Sequence, residues 1–293
     1  MSKITKLGMG INCFEGTEHL KNIIYEIRDA VDVIIVGVQH KSYFGKDIEQ
    51  EDVDELMKLK SSGYIDEIVW FDIEMPPESI REDSIPRRSE TEKRNRIIEE
   101  LQKRGCSHCL ITDSDEFYDG DEFRRAKKVI NDDDDIHCTY CQYLNYYRDY
   151  HHYLVWPFES FVPFITEIDY RFLFDKGDFQ LPSDPTRRYK IPEGRPFEIY
   201  IFDWDVLKMH HLAWIRKNIA KKIENWSSKL YFKKDTQLVP AIIDRYNNYK
   251  DGENALVTFN VPGFSVLVNI LPRDYVHPHY YLGYRGEYSM KKS

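Results

Sequence analysis

Cys109-Leu110-Ile111-Thr112-Asp113-Ser114-Asp115-Glu116-Phe117 is an apolar run that ends abruptly in three carboxylates within four positions. It follows a helical stretch closed by Gly105 and precedes Tyr118-Asp119-Gly120, which predicts a central strand whose end meets a loop. Where the two-residue alternation relaxes, Asp113 and Asp115 can converge on one hard divalent cation while Ser114 turns aside. Carboxylates this close repel one another unless positive charge sits between them. The expectation is a metal site, with a nucleotide diphosphate as the economical partner of the ion.

Outward from this strand, the first half of the chain alternates strand-like and helix-like segments, the pattern of a mostly parallel sheet with helices on its faces. Lys6 to Cys13 can open the sheet. Leu20, Ile23, Ile24 and Ile27 recur at helical spacing, and Val33 to Val38 reads as a fully buried strand. Val53, Leu56 and Met57 mark the next helix, and Ile65 to Phe71 a third strand, which Met75-Pro76-Pro77 cannot continue. Ser89-Glu90-Thr91-Glu92 has capping-box spacing and opens a helix with Ile97, Ile98 and Leu101 inward. Phe123, Ala126, Val129 and Ile130 suggest a short helix, and the aspartates from Asp132 to Asp135 a solvated turn.

From Tyr143 to Tyr200 dense aromatics mix with six prolines, so long regular elements are not expected. Their rings could stack on sugars on the acceptor side of a cleft, or form a core of irregular loops. Lys208 to Arg216 reads as a strand leading into a helix with Ile219, Ile223, Trp226 and Leu230 on one side, and it places His210 and His211 at an element boundary. The expected organisation is a core over 1–205, with acceptor-side loops, and a C-terminal segment over 206–293 packed on it.

The 293 residues, 42% apolar, suffice for one sizeable core. A net charge of −9 argues against a nucleic-acid partner or a polybasic anchor, so phosphates must be bound locally. No apolar stretch approaches the roughly 20 residues that span a bilayer, and Met1 to Lys6 lacks a following secretory core, so a soluble, cytoplasmic chain is expected. Five cysteines do not make a secreted disulfide framework. Cys106-x-x-Cys109 and Cys138-x-x-Cys141 invite zinc, but the second pair lies in an extended run where residues three apart face opposite ways.

Arg94-Asn95-Arg96-Ile97-Ile98 on a helix, then the Asp113-Ser114-Asp115 strand end, then His211-Leu212-Ala213-Trp214 followed by Lys222-Ile223, occur in an order that resembles the bisecting N-acetylglucosaminyltransferases and related family 2-like enzymes of the GT-A fold. Asn12-Cys13-Phe14-Glu15 and Val31 to Val36 are similar too. The likeness covers most of residues 1–120 and His211 to Trp226. Against this likeness, no N-terminal membrane anchor is expected, and Val38-Gln39 stands where an acidic residue often follows the second strand.

The resemblance implies an α/β, Rossmann-like GT-A architecture, with Asp115 on the metal, Asp113 on the ribose or on the metal through water, and His211 as a further ligand, His210 being the alternative. Asp72 matches the position that receives the base or ribose, or is a strand-end turn residue. Asn12, Gln39 and His40 border the expected donor pocket, and Arg94 reaches phosphate or decorates a solvent face. Manganese or magnesium held by Asp113, Asp115 and His211 would neutralise a leaving diphosphate, which implies transfer of a sugar from a nucleotide sugar, UDP-linked by preference, to a glycan hydroxyl. For an inverting reaction Glu159, Glu198, Asp203 and Asp205 are the candidate bases. The rivals are nucleotidyl transfer, which usually wants a basic residue after a glycine-rich loop, and a non-catalytic nucleotide- or glycan-binding protein.

Overall fold

In the computed structural model the described residues are 3–42, 44–71, 85–155, 160–173, 181, 183–190, 192–194, 198–225, 238–250, 259–261, 264–266, 269–272 and 284–287. Four parallel strands, β1 (Leu7–Cys13), β2 (Val33–Gln39), β3 (Glu67–Phe71) and β4 (His108–Asp113), stand in the order β3-β2-β1-β4, connected through helices α1 (Leu20–Ile27), α2 (Gln50–Ser61) and α3 (Ile85–Lys103). After β4 come the two-residue strand β5 (Glu116–Phe117), α4 (Gly120–Asp132), β6 (Cys138–Tyr147), β7 (Asp149–Val155) and β8 (Phe161–Glu167). β8 inserts antiparallel between β4 and β6. The hairpin pair β9 (Arg171–Leu173) and β10 (Arg188–Lys190) stands apart from the main sheet. β11 (Glu198–Ile201) and β12 (Lys208–Trp214) both run parallel to β6, and α5 (Ile219–Asn225) and α6 (Leu238–Asn248) follow. Of the last strands, β13 (Phe259–Val261) and β14 (Phe264–Val266) pair with each other, while β15 (Asn269–Pro272) and β16 (Tyr284–Glu287) edge the main sheet. The result is a mostly parallel mixed sheet flanked by helices, a Rossmann-like arrangement of the GT-A kind.

β1 shows how sequence alternation sets the layers. Leu7, Met9, Ile11 and Cys13 point into one core with Leu20, Ile24 and Phe123. Gly8 and Gly10 present the other face, on which α3 lies directly: a Cβ at Gly10 would stand 2.3 Å from Ile97 Cγ2, and one at Gly37 2.5 Å from Ile97 Cδ1. Without side chains beneath it, α3 comes down close to the sheet, and its polar first half reaches the strand ends.

Two local expectations are corrected. α3 begins at Ile85, before Ser89, so Ser89 and Glu92 lie inside the helix rather than capping it. α2 forms where Val53, Leu56 and Met57 mark a helix, with Leu56 and Leu59 inward and Met57 52% exposed. Dense aromatics with prolines do not prevent long regular strands: β6 spans ten residues, and Pro163 sits in β8 at a register irregularity between Cys138 and Tyr140, where its missing N–H is tolerated. Cys138 and Cys141 fall in the two opposite cores, and all five thiols are buried and unpaired. Among the described residues no helix is long and apolar enough to cross a membrane.

The close α3 contact gives a stability test. Gly10→Ala should cost about 1–3 kcal/mol through overpacking and Ile97→Ala about 2–5 kcal/mol through its cavity, while the double variant should cost less than the two together, read from urea unfolding. Simple additivity would show that the two positions do not share this space.

Candidate functional site

In an open α/β sheet, ligands bind beyond the carboxyl ends of strands where the winding reverses, here between β1 and β4. The parallel register sets Asn12 beside Asp113 at that point, and Asn12 Nδ2 donates to Asp113 Oδ1 at 2.8 Å. Arg94 Nη2, brought by α3, donates to both oxygens of Asp113 at 3.0 and 3.1 Å. Arg187, from the 3₁₀ turn Pro185–Arg187, reaches both Asp113 and Glu116. Glu116 in turn accepts the Asp113 backbone N–H at 3.0 Å. Burial alone would raise the Asp113 carboxyl, but Arg187 and Arg94 overcome it and hold the group well below the usual carboxylate range. At Glu116 burial wins over Arg187, and its carboxyl is raised.

Asp115 has a separate environment. The antiparallel pairing of β5 with β12 sets His211 opposite Glu116, and the Leu212 N–H donates to the Asp115 carbonyl at 2.7 Å. Asp115 Oδ2 accepts from Arg216 Nη2 and from Lys222 Nζ, the latter at 3.0 Å. Its Oδ1 faces His211 Nε2 at 3.6 Å. Burial opposes ionisation of Asp115, yet Lys222, Arg216 and His211 keep its carboxyl well below the ordinary value. His211 Nδ1 lies 2.6 Å from Asn145 Oδ1, on the neighbouring β6. With the Asn145 amide oxygen on Nδ1, the ring is held so that Nε2 faces Asp115.

This edge supplies two donor atoms whose spacing is compatible with one divalent cation, short of a complete ligand set among the described residues. Its 3.6 Å length is close to the ~3.0–3.5 Å that separates two ligands each ~2.1 Å from one ion. The Asn145 contact is the outer-shell support that a ligating histidine needs. Asp113, by contrast, has its oxygens engaged by Asn12, Arg94 and Arg187, and among the described residues no three His, Cys, Asp or Glu side chains gather as a metal-holding group.

The other expected residues are dispersed. Ser114 turns aside, its hydroxyl donating to the Glu15 carbonyl at 2.9 Å. Gln39 is buried and accepts from Lys93 Nζ at 2.6 Å, and burial lowers the Lys93 ammonium to about 8. Exposed His40 stacks on Trp70 with ring centroids 4.8 Å apart. Arg94 neither decorates a solvent face nor stands open to a phosphate, being buried with Asp113 and Thr186. His210 meets the Tyr146 hydroxyl at 2.9 Å. Glu198 lies in β11, and Asp203 and Asp205 in the turn before β12, Asp205 being exposed. Asp72 and Glu159 lie outside the described residues.

Sequence reasoning missed Asn145, Arg187 and Arg216, which no local spacing announces; the signal available was the excess of carboxylates at one strand end, which demands cations from elsewhere. A groove of about 700 Å³ opens beside the cluster, between the turn after β1, the start of α2 and α5, with Glu15, Asp52, Arg216 and Lys222 among its walls.

No family pattern matches the chain, and no curated protein is detectably similar to it. Among solved structures it is similar to S. aureus TarS, with a TM-score of 0.41 and 9% identity over 84% of this chain and 44% of that one. A second similarity is to S. aureus TarS 1-349, with a TM-score of 0.34 and 10% identity over 83% of this chain and 72% of that one. The chain thus spans less than half the length of the first.

Asp113 has a depressed carboxyl in the folded state, so its stabilisation is complete above the unfolded value of about 4 and is lost as pH falls through the folded one. Asp113→Asn should cost about 2–3 kcal/mol at pH 7, less than a sealed ion pair because the side chain keeps 28% exposure. Its loss of stability on acidification below pH ~4 should also be shallower than that of the wild type. Denaturant unfolding from pH 7 to pH 3 measures both; parallel curves would remove Asp113 from the acid response.

Proposed function

We propose that this protein is a metal-dependent glycosyltransferase that takes a sugar from a nucleoside diphosphate sugar, with a uridine diphosphate sugar as the preferred donor, and passes it to a glycan hydroxyl. The observation that carries this reading is the edge formed by Asp115 Oδ1 and His211 Nε2 at the reversal point of the sheet. A carboxylate oxygen and an imidazole nitrogen placed this way can share either a proton or a divalent cation.

Manganese or magnesium held there would supply positive charge to the oxygens of a departing diphosphate. The chain's own residues do the positioning. Asn145 orients the imidazole, and the β12 backbone fixes the loop that carries Asp115. Asp113, compensated by Arg94 and Arg187, holds the end of β4 in place through Asn12, so the loop leaves the sheet at one angle. The negative charge that accumulates on a leaving phosphate then develops in a site already arranged to receive it.

Thermal unfolding with uridine diphosphate and Mn²⁺ tests the reading. Together they should raise the midpoint, by the equivalent of about 2.7 kcal/mol at a hundredfold excess over Kd. Removing the metal with chelator should abolish the nucleotide's effect, and so should Asp115→Asn or His211→Ala. Equal stabilisation with and without chelator would sink the metal-bridged model, and failure of nucleotide sugars to be hydrolysed or transferred would sink the enzyme.

A further inference from the structure

Residues 3–6 lead into β1 at the amino-terminal end of the sheet, opposite the strand ends that carry Asp113 and Asp115. Asn131 Oδ1, near the end of α4, accepts the Ile4 N–H at 3.0 Å, and Ser107 Oγ accepts the N–H groups of Thr5 and Lys6 at 3.0 and 3.3 Å. The Ser107 proton has two outlets: Nδ1 of His108, the first residue of β4, at 3.0 Å, and the Lys6 carbonyl at 3.3 Å. That carbonyl already accepts the N–H groups of Ser107 and His108, so the histidine ring is the better acceptor. His108 is 1% exposed, and among the described residues its Nε2 has no hydrogen-bond partner. Glu167, its register partner on β8, is engaged with His137 Nδ1 at 3.1 Å. His137 and the exposed Asp169 are the other titratable groups whose charge reaches the ring.

We propose that His108 is an acid-triggered release for residues 3–6, its ring giving up the Ser107 hydroxyl when it takes a second proton. A neutral imidazole can accept that hydroxyl proton, whereas an imidazolium has two N–H donors and no acceptor. Its Nδ1–H then competes with Thr5 and Lys6 for the lone pairs of Ser107 Oγ. Its Nε2–H stays buried, beside a carboxylate that already belongs to His137. Lifting residues 3–6 relieves both conflicts by letting water reach the ring. Burial holds the folded His108 ring down to about 4, against the pull of Glu167 and with the repulsion of His137. The folded value lies below the unfolded one of about 6.5, so the docked form is fully favoured above ~6.5 and loses ground as pH falls from there. This window lies above the one in which Asp113 loses its charge, so the two acid responses separate.

Hydrogen–deuterium exchange of the full chain, read by mass spectrometry between about pH 7.5 and about pH 4.5 and corrected for the intrinsic pH dependence of exchange, tests the release. In the wild type, protection of residues 3–6 should fall by up to ~10-fold for each pH unit below ~6.5, while β4 and β8 stay protected. His108→Gln, which cannot titrate, should hold the segment across the range, and Ser107→Ala should expose it at every pH. His137→Gln should still respond, which separates His108 from its titrating neighbour. An NMR titration of the wild-type His108 ring, assigned through its contacts with Ser107, gives a readout that needs no variant to fold: the ring should take its proton over the interval in which the segment is released. Protection that does not change with pH, the same response in His108→Gln, a response abolished by His137→Gln instead, a ring that stays neutral during release, or loss of protection across the whole sheet at once would each overturn the proposal.

Discussion

Charge compensation around the end of β4 is the constraint on which the rest of the site depends. Asp113, Asp115 and Glu116 are gathered at one strand end, and burial penalises every one of their negative charges. Each is met by a cation from a different part of the chain: Arg94 on α3, Arg187 in a turn, Arg216 and Lys222 around α5. The cations divide the acids into two groups. Asp113 and Glu116 share Arg187 and brace the strand end, which leaves Asp115 alone on the side of β12, with one oxygen turned to His211.

Backbone packing makes that division possible. α3 can deliver Arg94 to Asp113 only because Gly8, Gly10 and Gly37 leave room for Ile97 and Leu101 against the sheet. β12 can deliver His211 only because it pairs with β6 on one side and with the two residues of β5 on the other. Adjacent residues in a strand face opposite sides, so the register that sets His211 against Asp115 sends His210 toward Tyr146.

Much of this could be read from residue order. The alternation in β1, the helical spacing of Leu20, Ile23, Ile24 and Ile27, and the buried runs of β2 and β4 each depend on local burial, which leaves a local trace. The start of α3 was obscured because Ser89 and Glu92 offered a cap, although Pro86 was the better mark, its missing N–H being harmless in a first helical turn. Prolines among the aromatics suggested loops, but a single bulge absorbs Pro163 and the strands continue. Asp113, Asp115 and His211 were legible as candidates from their types and boundaries. Their partners were not, because a counter-ion some hundred residues away needs only to arrive at the right point in space, and nothing in its own neighbourhood records that duty.

The separation of those partners has a consequence for the order of assembly. Asp113 meets Asn12 across 101 residues of chain and Arg187 across 74, and Asp115 meets Lys222 across 107. While the first half alone is in place, three carboxylates crowd one strand end with Arg94 as their main neutraliser, and their mutual repulsion works against closing it. Long-range closures of this kind come late and slowly. The charges of this strand end therefore balance only once the C-terminal segments have docked, so its final geometry is reached late in folding.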